Sequence, residues 1–388
     1  MTRELHPIDA AQIRGWCTDS YKLSTIEYRL ISCMSNLIRY GIIGTGMMGW
    51  EHIMNIRLIP GSEVTAIADP NAASRDMGRG FSPEGVLVFD DYREMLRAAP
   101  VDAVVIATPN FTHHDVLQDV FQTRKHILVE KPLCTTVEHC RRVVEQAAHH
   151  PAVVYVGMEY RFMRAVQRLL EEVRMGALGR LRMVAIREHR FPFLPKVDNW
   201  NRFARNTGGT LVEKCCHFFD LMNLILRDRP TCVYASGAQD VNHLDEHYAG
   251  EVPDIIDNAF TIVDYAGGAR AVLDVCMFAE NSLHEVEICA TGEHGKVQAF
   301  EPADETVVCL RDGTTPRRER FDVDAQIKGA GAHHGSTYFE HLAFQDAIRT
   351  GGQPAVTVED GALAVAVGAA AERSIRERRP VELSELGF

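Results

Sequence analysis

The sequence has no run of apolar residues long enough to span a bilayer, and so offers no candidate membrane helix. It has no excess of basic charge. Its 41 Lys and Arg face 53 Asp and Glu, and the net charge of −12 argues against a general nucleic-acid binder. It has no C-x-x-C pair. Its ten cysteines are scattered, and only Cys215 and Cys216 adjoin. Reduced, mostly buried thiols in a cytoplasmic protein are therefore expected. No twin arginine and no basic-then-apolar stretch opens the chain, so no export signal is expected. No internal repeat or low-complexity tract stands out.

What is present is ordinary globular material: 388 residues, 46% hydrophobic and 24% charged, enough for two or three domains. Residues 1–33 show no strong period and read as an extension, either a loose arm or sequence upstream of the true start at Met34. From Leu37 onward, short β-rich runs alternate with helical segments. Strands are expected at 37–44, 63–69, 86–89, 101–108, 126–130 and 152–157, with helices between them. Such alternation predicts a parallel sheet covered on both faces, a doubly wound Rossmann domain over residues 34–157.

The stretch Gly44-Thr45-Gly46-Met47-Met48-Gly49 matches G-x-G-x-x-G and falls after the first strand, opening a helix. In that place glycines permit a tight turn and close approach of a pyrophosphate, which the free N–H groups of the helix N-terminus attract. Asp69 ends the second strand. A carboxylate there accepts both ribose hydroxyls and repels a 2′-phosphate, which favours NAD over NADP.

Residues 158–388 are organised differently. A helical stretch and a strand lead into "GGTLVEKCCHFFDLMNLIL", which reads as one long helix. Six β-rich runs follow without helices between them, then two late helices. Grouped strands predict an α+β domain with a largely antiparallel sheet. This domain is expected to bind substrate and form a subunit interface.

Three clusters carry candidate chemistry. Thr108-Pro109-Asn110 follows the fourth strand, and Glu130-Lys131-Pro132 closes the fifth. Both sit at carboxyl ends of strands, where ligands bind in such sheets. In the third cluster, helical spacing stacks Glu213, His217 and Asp220 on one face. Acids beside a histidine orient its ring and raise its basicity, which suits proton removal from an alcohol. A core histidine bonded to an acid fits the same spacing, and both readings stay open. Zinc is not expected, because adjacent cysteines and i,i+4 side chains do not all face one metal on a regular helix.

Taken in order, the glycine loop, "ATPNFTH", "VEKPL", "GMEYRF", "GALG", "GGTLVEKCCHFFDL" and "VEDGALAVAVGAAAERSIRERRPVEL" resemble the Gfo/Idh/MocA family of NAD(P)-dependent sugar and cyclitol oxidoreductases. The likeness spans about residues 36–385. It implies a Rossmann domain followed by a domain on a large open sheet, assembled as homodimers or homotetramers. It implies that Lys131 binds and polarises the reacting hydroxyl, that His217 is the acid/base, and that Glu213 stands where the family usually has aspartate. It places Asn110, His113 and Glu130 beside the nicotinamide, and it implies a cis bond between Lys131 and Pro132. Glu213 is one methylene longer than the usual aspartate. The "EKCC" before the histidine also departs from the usual small residues and marks a distinct subgroup.

The resulting expectation is oxidation of a secondary alcohol on a small polyhydroxylated ring, with no nucleic-acid or membrane partner. Candidates for holding the ring are Glu159, Arg161, Trp200, Arg202 and His334, with Trp200 either stacking on a sugar face or sitting in the core. Asp254, Asp257 and Asn258 either join the site or cap a strand. Two other readings compete. One is a redox-neutral enzyme that keeps its NAD, and the other is an NAD-sensing protein without turnover.

Overall fold

Residues 37–388 are described by the computed structural model; the extension at 1–33 lies outside the described residues. The first sheet is built from β1 (Ile38–Ile43), β2 (Ser62–Ala68), β3 (Leu87–Phe89), β4 (Ala103–Ile106), β5 (His126–Glu130) and β6 (Val154–Gly157). All pairs are parallel, in the order β3-β2-β1-β4-β5-β6. Between them run α1 (Met47–Ile56), α2 (Ala72–Phe81), α3 (Tyr92–Ala98), α4 (His113–Val120) and α5 (Val137–Ala147). The central strands carry unbroken apolar runs because helices cover both faces, and Ile42, Val104 and Leu128 are fully buried. Chain order reverses between β1 and β4, which opens a crevice at their carboxyl ends.

The helix starts explain themselves locally. Asn71, Asp91 and Thr136 cap α2, α3 and α5 with side-chain oxygens. By contrast, α1 begins at Gly46 with no side-chain cap and no acid in its first turn.

After α6 (Arg164–Arg174) comes β7 (Leu181–His189), then α7 (Cys216–Leu226) and the strands β8 (Pro230–Ala238), β9 (Asn258–Tyr265), β10 (Arg270–Cys276), β11 (Val286–Gly292), β12 (Gly295–Glu301), β13 (Glu305–Leu310) and β14 (Arg317–Arg320). The chain ends with α8 (Ser336–Thr350), α9 (Val358–Glu377) and the short β15 (Val381–Glu382). The second sheet has nine strands in the order β14-β13-β12-β11-β7-β10-β9-β8-β15. It is mostly antiparallel, and only β7 and β10 run parallel.

Three features depart from expectation. The edge strand β14 has the sequence Arg-Arg-Glu-Arg and no apolar signal; Arg318 and Arg320 hold it to β13 through Glu305. The two-residue β15 is too short to show a period. The long helix expected after Gly209 is broken. A turn over Thr210–Glu213 ends at Lys214 and Cys215, and α7 restarts at Cys216.

Candidate active site

The glycine loop bends between β1 and α1. Gly44 has φ +89°, and a Cβ there would press on the backbone at Ala107, the end of the neighbouring β4. A Cβ on Gly49 would run into the Gly44 carbonyl. At Gly46 the situation is opposite: a Cβ would meet nothing within 4 Å, so the backbone faces open space there. The uncapped first turn of α1, with Met47 and Met48 only partly buried, offers its N–H groups into that space. Thr45 is buried, and its hydroxyl donates to the Ser74 carbonyl at 2.8 Å, which ties the loop to α2. Asp69 accepts from the Thr45 N–H and the Asn71 N–H, both at 2.8 Å, so its carboxylate is fixed beside the loop. A carboxylate has about four lone-pair sites, so two remain for ribose hydroxyls. These residues fit a dinucleotide.

Thr108-Pro109-Asn110 turns out of β4, and the buried Asn110 Nδ2 has no hydrogen-bond partner. His113 lies behind this turn rather than on its open side. It is fully buried, with Nδ1 at 2.8 Å from the Pro132 carbonyl and Nε2 at 3.0 Å from the Thr108 carbonyl. Burial lowers its pKa. It ties the turn after β4 to the turn after β5. Glu130 is likewise committed. Oε1 is 2.8 Å from His52 Nε2, and Oε2 accepts the Lys131 N–H at 3.1 Å. His52 Nδ1 is in turn 2.8 Å from His341 Nε2, a link from α1 to α8.

Lys131 projects from the end of β5, and its bond to Pro132 is cis. Its ammonium donates to the Glu213 carbonyl at 3.2 Å. The break after Glu213 matters here, because carbonyls at a helix end lack partners within the helix and accept others. Burial opposes the charge on Lys131, but Cys216, Glu213 and Glu159 outweigh it and leave the pKa raised. The Cys216 thiol is itself pushed up to about 12 by burial.

Glu213 is buried with Oε2 unpartnered; burial raises its pKa against the pull of Lys131 and Lys196. His217, 1% exposed, stacks on Tyr160 with ring centroids 4.2 Å apart and planes 8° from parallel. Lys214 bonds the Tyr160 hydroxyl at 2.7 Å and Glu188 at 2.8 Å, holding that platform still. Burial, then Lys131 and Lys214, lowers the His217 pKa well below its ordinary value. The ring is neutral, its Nδ1 has no partner, and its Nε2 lies 3.4 Å from Glu159. Buried polar groups without partners are rare in folded proteins. Here Asn110, Glu159, Glu213 and His217 all carry them.

Several expected site residues have other tasks. Asp220 shares the unbroken α7 with His217 but does not bond it: Arg161 donates to both its oxygens, and the helix break parts Glu213, not Asp220, from the histidine. Arg161 also reaches the Ala355 carbonyl at 2.8 Å and Asp360 at 3.2 Å, so its guanidinium anchors the start of α9 and is not free for a substrate. Arg202 is buried against Glu246 at 2.9 Å, though its charge still acts on Glu213. Trp200 meets Phe111 of the Asn110 turn edge-on, with centroids 6.1 Å apart. Asp254 caps the turn at Ala204, Asp257 gathers the N–H groups of Asp240, Val241 and Asn242, and Asn258 bonds Asp240. His334 adopts φ +55° near Lys328.

It is His333, the residue before His334, that turns inward, to Glu51 at 2.7 Å and Glu159 at 3.5 Å. Sequence reasoning missed it, along with Lys196, whose charge acts on Glu213 and whose pKa burial lowers. The available signal was the tandem His333-His334 in a glycine-rich loop.

Fold and site together define an oxidoreductase with an NAD-binding Rossmann domain and a separate catalytic sheet. Family models described as the oxidoreductase family's NAD-binding Rossmann fold and its C-terminal alpha/beta domain match residues 38–158 and 171–383. The chain belongs to the Gfo/Idh/MocA oxidoreductase family. A myo-inositol 2-dehydrogenase of Thermotoga maritima is 28% identical over 90% of this chain and 99% of its own. A scyllo-inositol 2-dehydrogenase (NAD(+)) of Bacillus subtilis is 25% identical over 90% of this chain and 97% of its own. The crystal structure of a probable dehydrogenase from Thermotoga maritima superposes with a TM-score of 0.72 at 27% identity, covering 90% of this chain and all of that one.

Proposed function

We propose that this protein oxidises a secondary hydroxyl of a cyclitol or sugar, with NAD as hydride acceptor. The observation that carries the reading is the meeting of Lys131, Glu213 and His217 at the carboxyl end of β5, on the same sheet edge as the glycine loop. The inositol dehydrogenases among the relatives support the substrate class.

The division of labour follows from protonation. His217, neutral, takes the hydroxyl proton. Lys131, charged, donates a hydrogen bond to the same oxygen and stabilises the negative charge developing on it. When bound, the nicotinamide supplies the hydride acceptor. The Glu213 carbonyl sets the direction of Lys131, and its carboxyl is left for a neighbouring ring hydroxyl. Trp200 packs edge-on against Phe111 of the Asn110 turn, while Asp69 favours an unphosphorylated ribose.

The reading takes residues 34–157 as the nucleotide-binding unit and 158–388 as the substrate-binding and oligomerisation unit. The eight cysteines among the described residues are free, in keeping with a reducing, cytoplasmic setting. No helix among the described residues is long and apolar enough to cross a membrane.

The test is NADH absorbance with purified protein, NAD or NADP, and a panel of inositols, pyranoses and glycosides. Steady NADH formation with one ring alcohol is expected. Silence across the panel, with dinucleotide already bound to the purified protein, would replace this reading with a redox-neutral enzyme or a sensor.

A further inference from the structure

We propose that Glu159 and His333 carry the proton taken by His217 out of the closed site to solvent. The proposal rests on the dehydrogenase reading, because each hydroxyl oxidised leaves one proton to be removed. The side chains of His217 and Glu159 are each 1% exposed. That of His333 is 24% exposed. One carboxylate oxygen, Oε1 of Glu159, stands between two imidazoles: 3.4 Å from His217 Nε2 and 3.5 Å from His333 Nε2. Both distances are slightly too long for good hydrogen bonds, and neither Glu159 oxygen has a hydrogen-bond partner. A small rotation of the carboxyl toward either ring closes one gap and opens the other.

The far end is fixed. Glu51, on α1, accepts from His333 Nδ1 at 2.7 Å, from the Thr337 hydroxyl at 2.9 Å and from the Ala332 N–H at 3.1 Å. Gly331 is required there, since a Cβ would overlap the Glu51 carboxyl. In the neutral form of His333, the Nδ1 proton bonds Glu51 and the Nε2 lone pair faces Glu159.

The steps balance. The hydroxyl proton moves to the His217 ring, and Nε2 gives its proton to Glu159 Oε1. Glu159 passes it to His333 Nε2, and His333 releases it to water, which restores Glu159 and His333 and leaves His217 as its Nδ1–H tautomer, to be reset by tautomer exchange before the next turnover. The direction is downhill in basicity. His217 is a weakened base, whereas Glu51 and Glu159 outweigh burial and raise the pKa of His333. The charged and titratable groups acting around His333 are Glu51 of α1, Glu159, Glu130 at the end of β5, Lys214, His217 and the adjacent His334.

The experiment compares wild type, His333→Ala, His333→Gln and Glu159→Gln. Each is assayed for NADH formation with the panel alcohol, with and without added free imidazole. A His333 titration by nitrogen-labelled NMR accompanies it. His333→Ala is expected to lose about tenfold or more in kcat, on the scale of general acid–base steps. Imidazole should restore it in a concentration-dependent way, while His333→Gln stays slow. Glu159→Gln should slow turnover and shift the His333 titration to lower pH. Wild-type kcat in His333→Ala, or recovery by glutamine without any imidazole response, overturns the relay. If wild type oxidises no panel alcohol, the dehydrogenase reading fails separately. The titration then decides the Glu159–His333 coupling, and an unmoved His333 pKa in Glu159→Gln overturns it.

Discussion

Lys131 joins the two halves of the chemistry. It leaves a strand of the first sheet and bonds a carbonyl that belongs to the second half of the chain. On the proposed mechanism, truncating it removes the donor to the reacting oxygen but touches nothing in the glycine loop. Lys131→Ala is therefore expected to abolish hydride transfer, with NAD affinity by fluorescence titration within a few-fold of wild type. Unchanged turnover would sink the assignment. On the same reading, Asp69 meets the other end of the dinucleotide. Asp69→Ser removes the charge that repels a 2′-phosphate, so the ratio of kcat/KM for NAD over NADP should fall by roughly tenfold or more. A ratio that does not move would remove Asp69 as the ribose ligand. Both residues were legible in the sequence because strand ends and glycine loops are local signals. His333 and Lys196 were not, because nothing near them in the chain announces the acids they meet.

Among the elements, the break between Glu213 and α7 is decisive. Gly208 and Gly209 both have positive φ, and a Cβ on Gly209 would collide with Glu372 of α9. Glu372 accepts the Leu211 N–H at 2.9 Å and so positions the turn that carries Glu213. Burial pushes its carboxyl up to about 7 from an ordinary 4.5. The folded state thus binds a proton more tightly than the unfolded one. The stability this confers is full below about 4.5 and is lost as pH rises through about 7. Glu372→Gln keeps a carbonyl acceptor and removes the titration. Relative to wild type it should gain about 1–3 kcal/mol on going from pH 5 to pH 8 in denaturant melts. An equal stability difference at both pH values would show that Glu372 does not titrate between them.

At the scale of the whole molecule, the second sheet leaves one face open. Across it, pairing aligns Tyr234, Ile262, Val272, Ala185 and Cys289 in one row. Phe260 nearby is 64% exposed and Ile262 is 47% exposed. Contiguous apolar surface of this kind marks association sites. The homodimer or homotetramer expected from the family resemblance would bury this face. Ile262→Asp is expected to lower the sedimentation coefficient toward that of a monomer while leaving NAD binding intact. A wild type that sediments as a monomer at micromolar concentration would refute that interface.

The sequence by itself determined the alternation of strands and helices, the mostly antiparallel second sheet, the glycine loop before α1 and the lysine at the end of β5. These depend on period, turn chemistry and strand ends, which are properties of neighbouring residues. Only the tertiary structure decided the pairings. Arg161 took Asp220 away from His217, His113 met the Pro132 carbonyl, Glu130 met His52, and His333 rather than His334 reached Glu159. A buried charge settles where its desolvation is best offset, and that partner is chosen by the fold, across elements far apart in the chain.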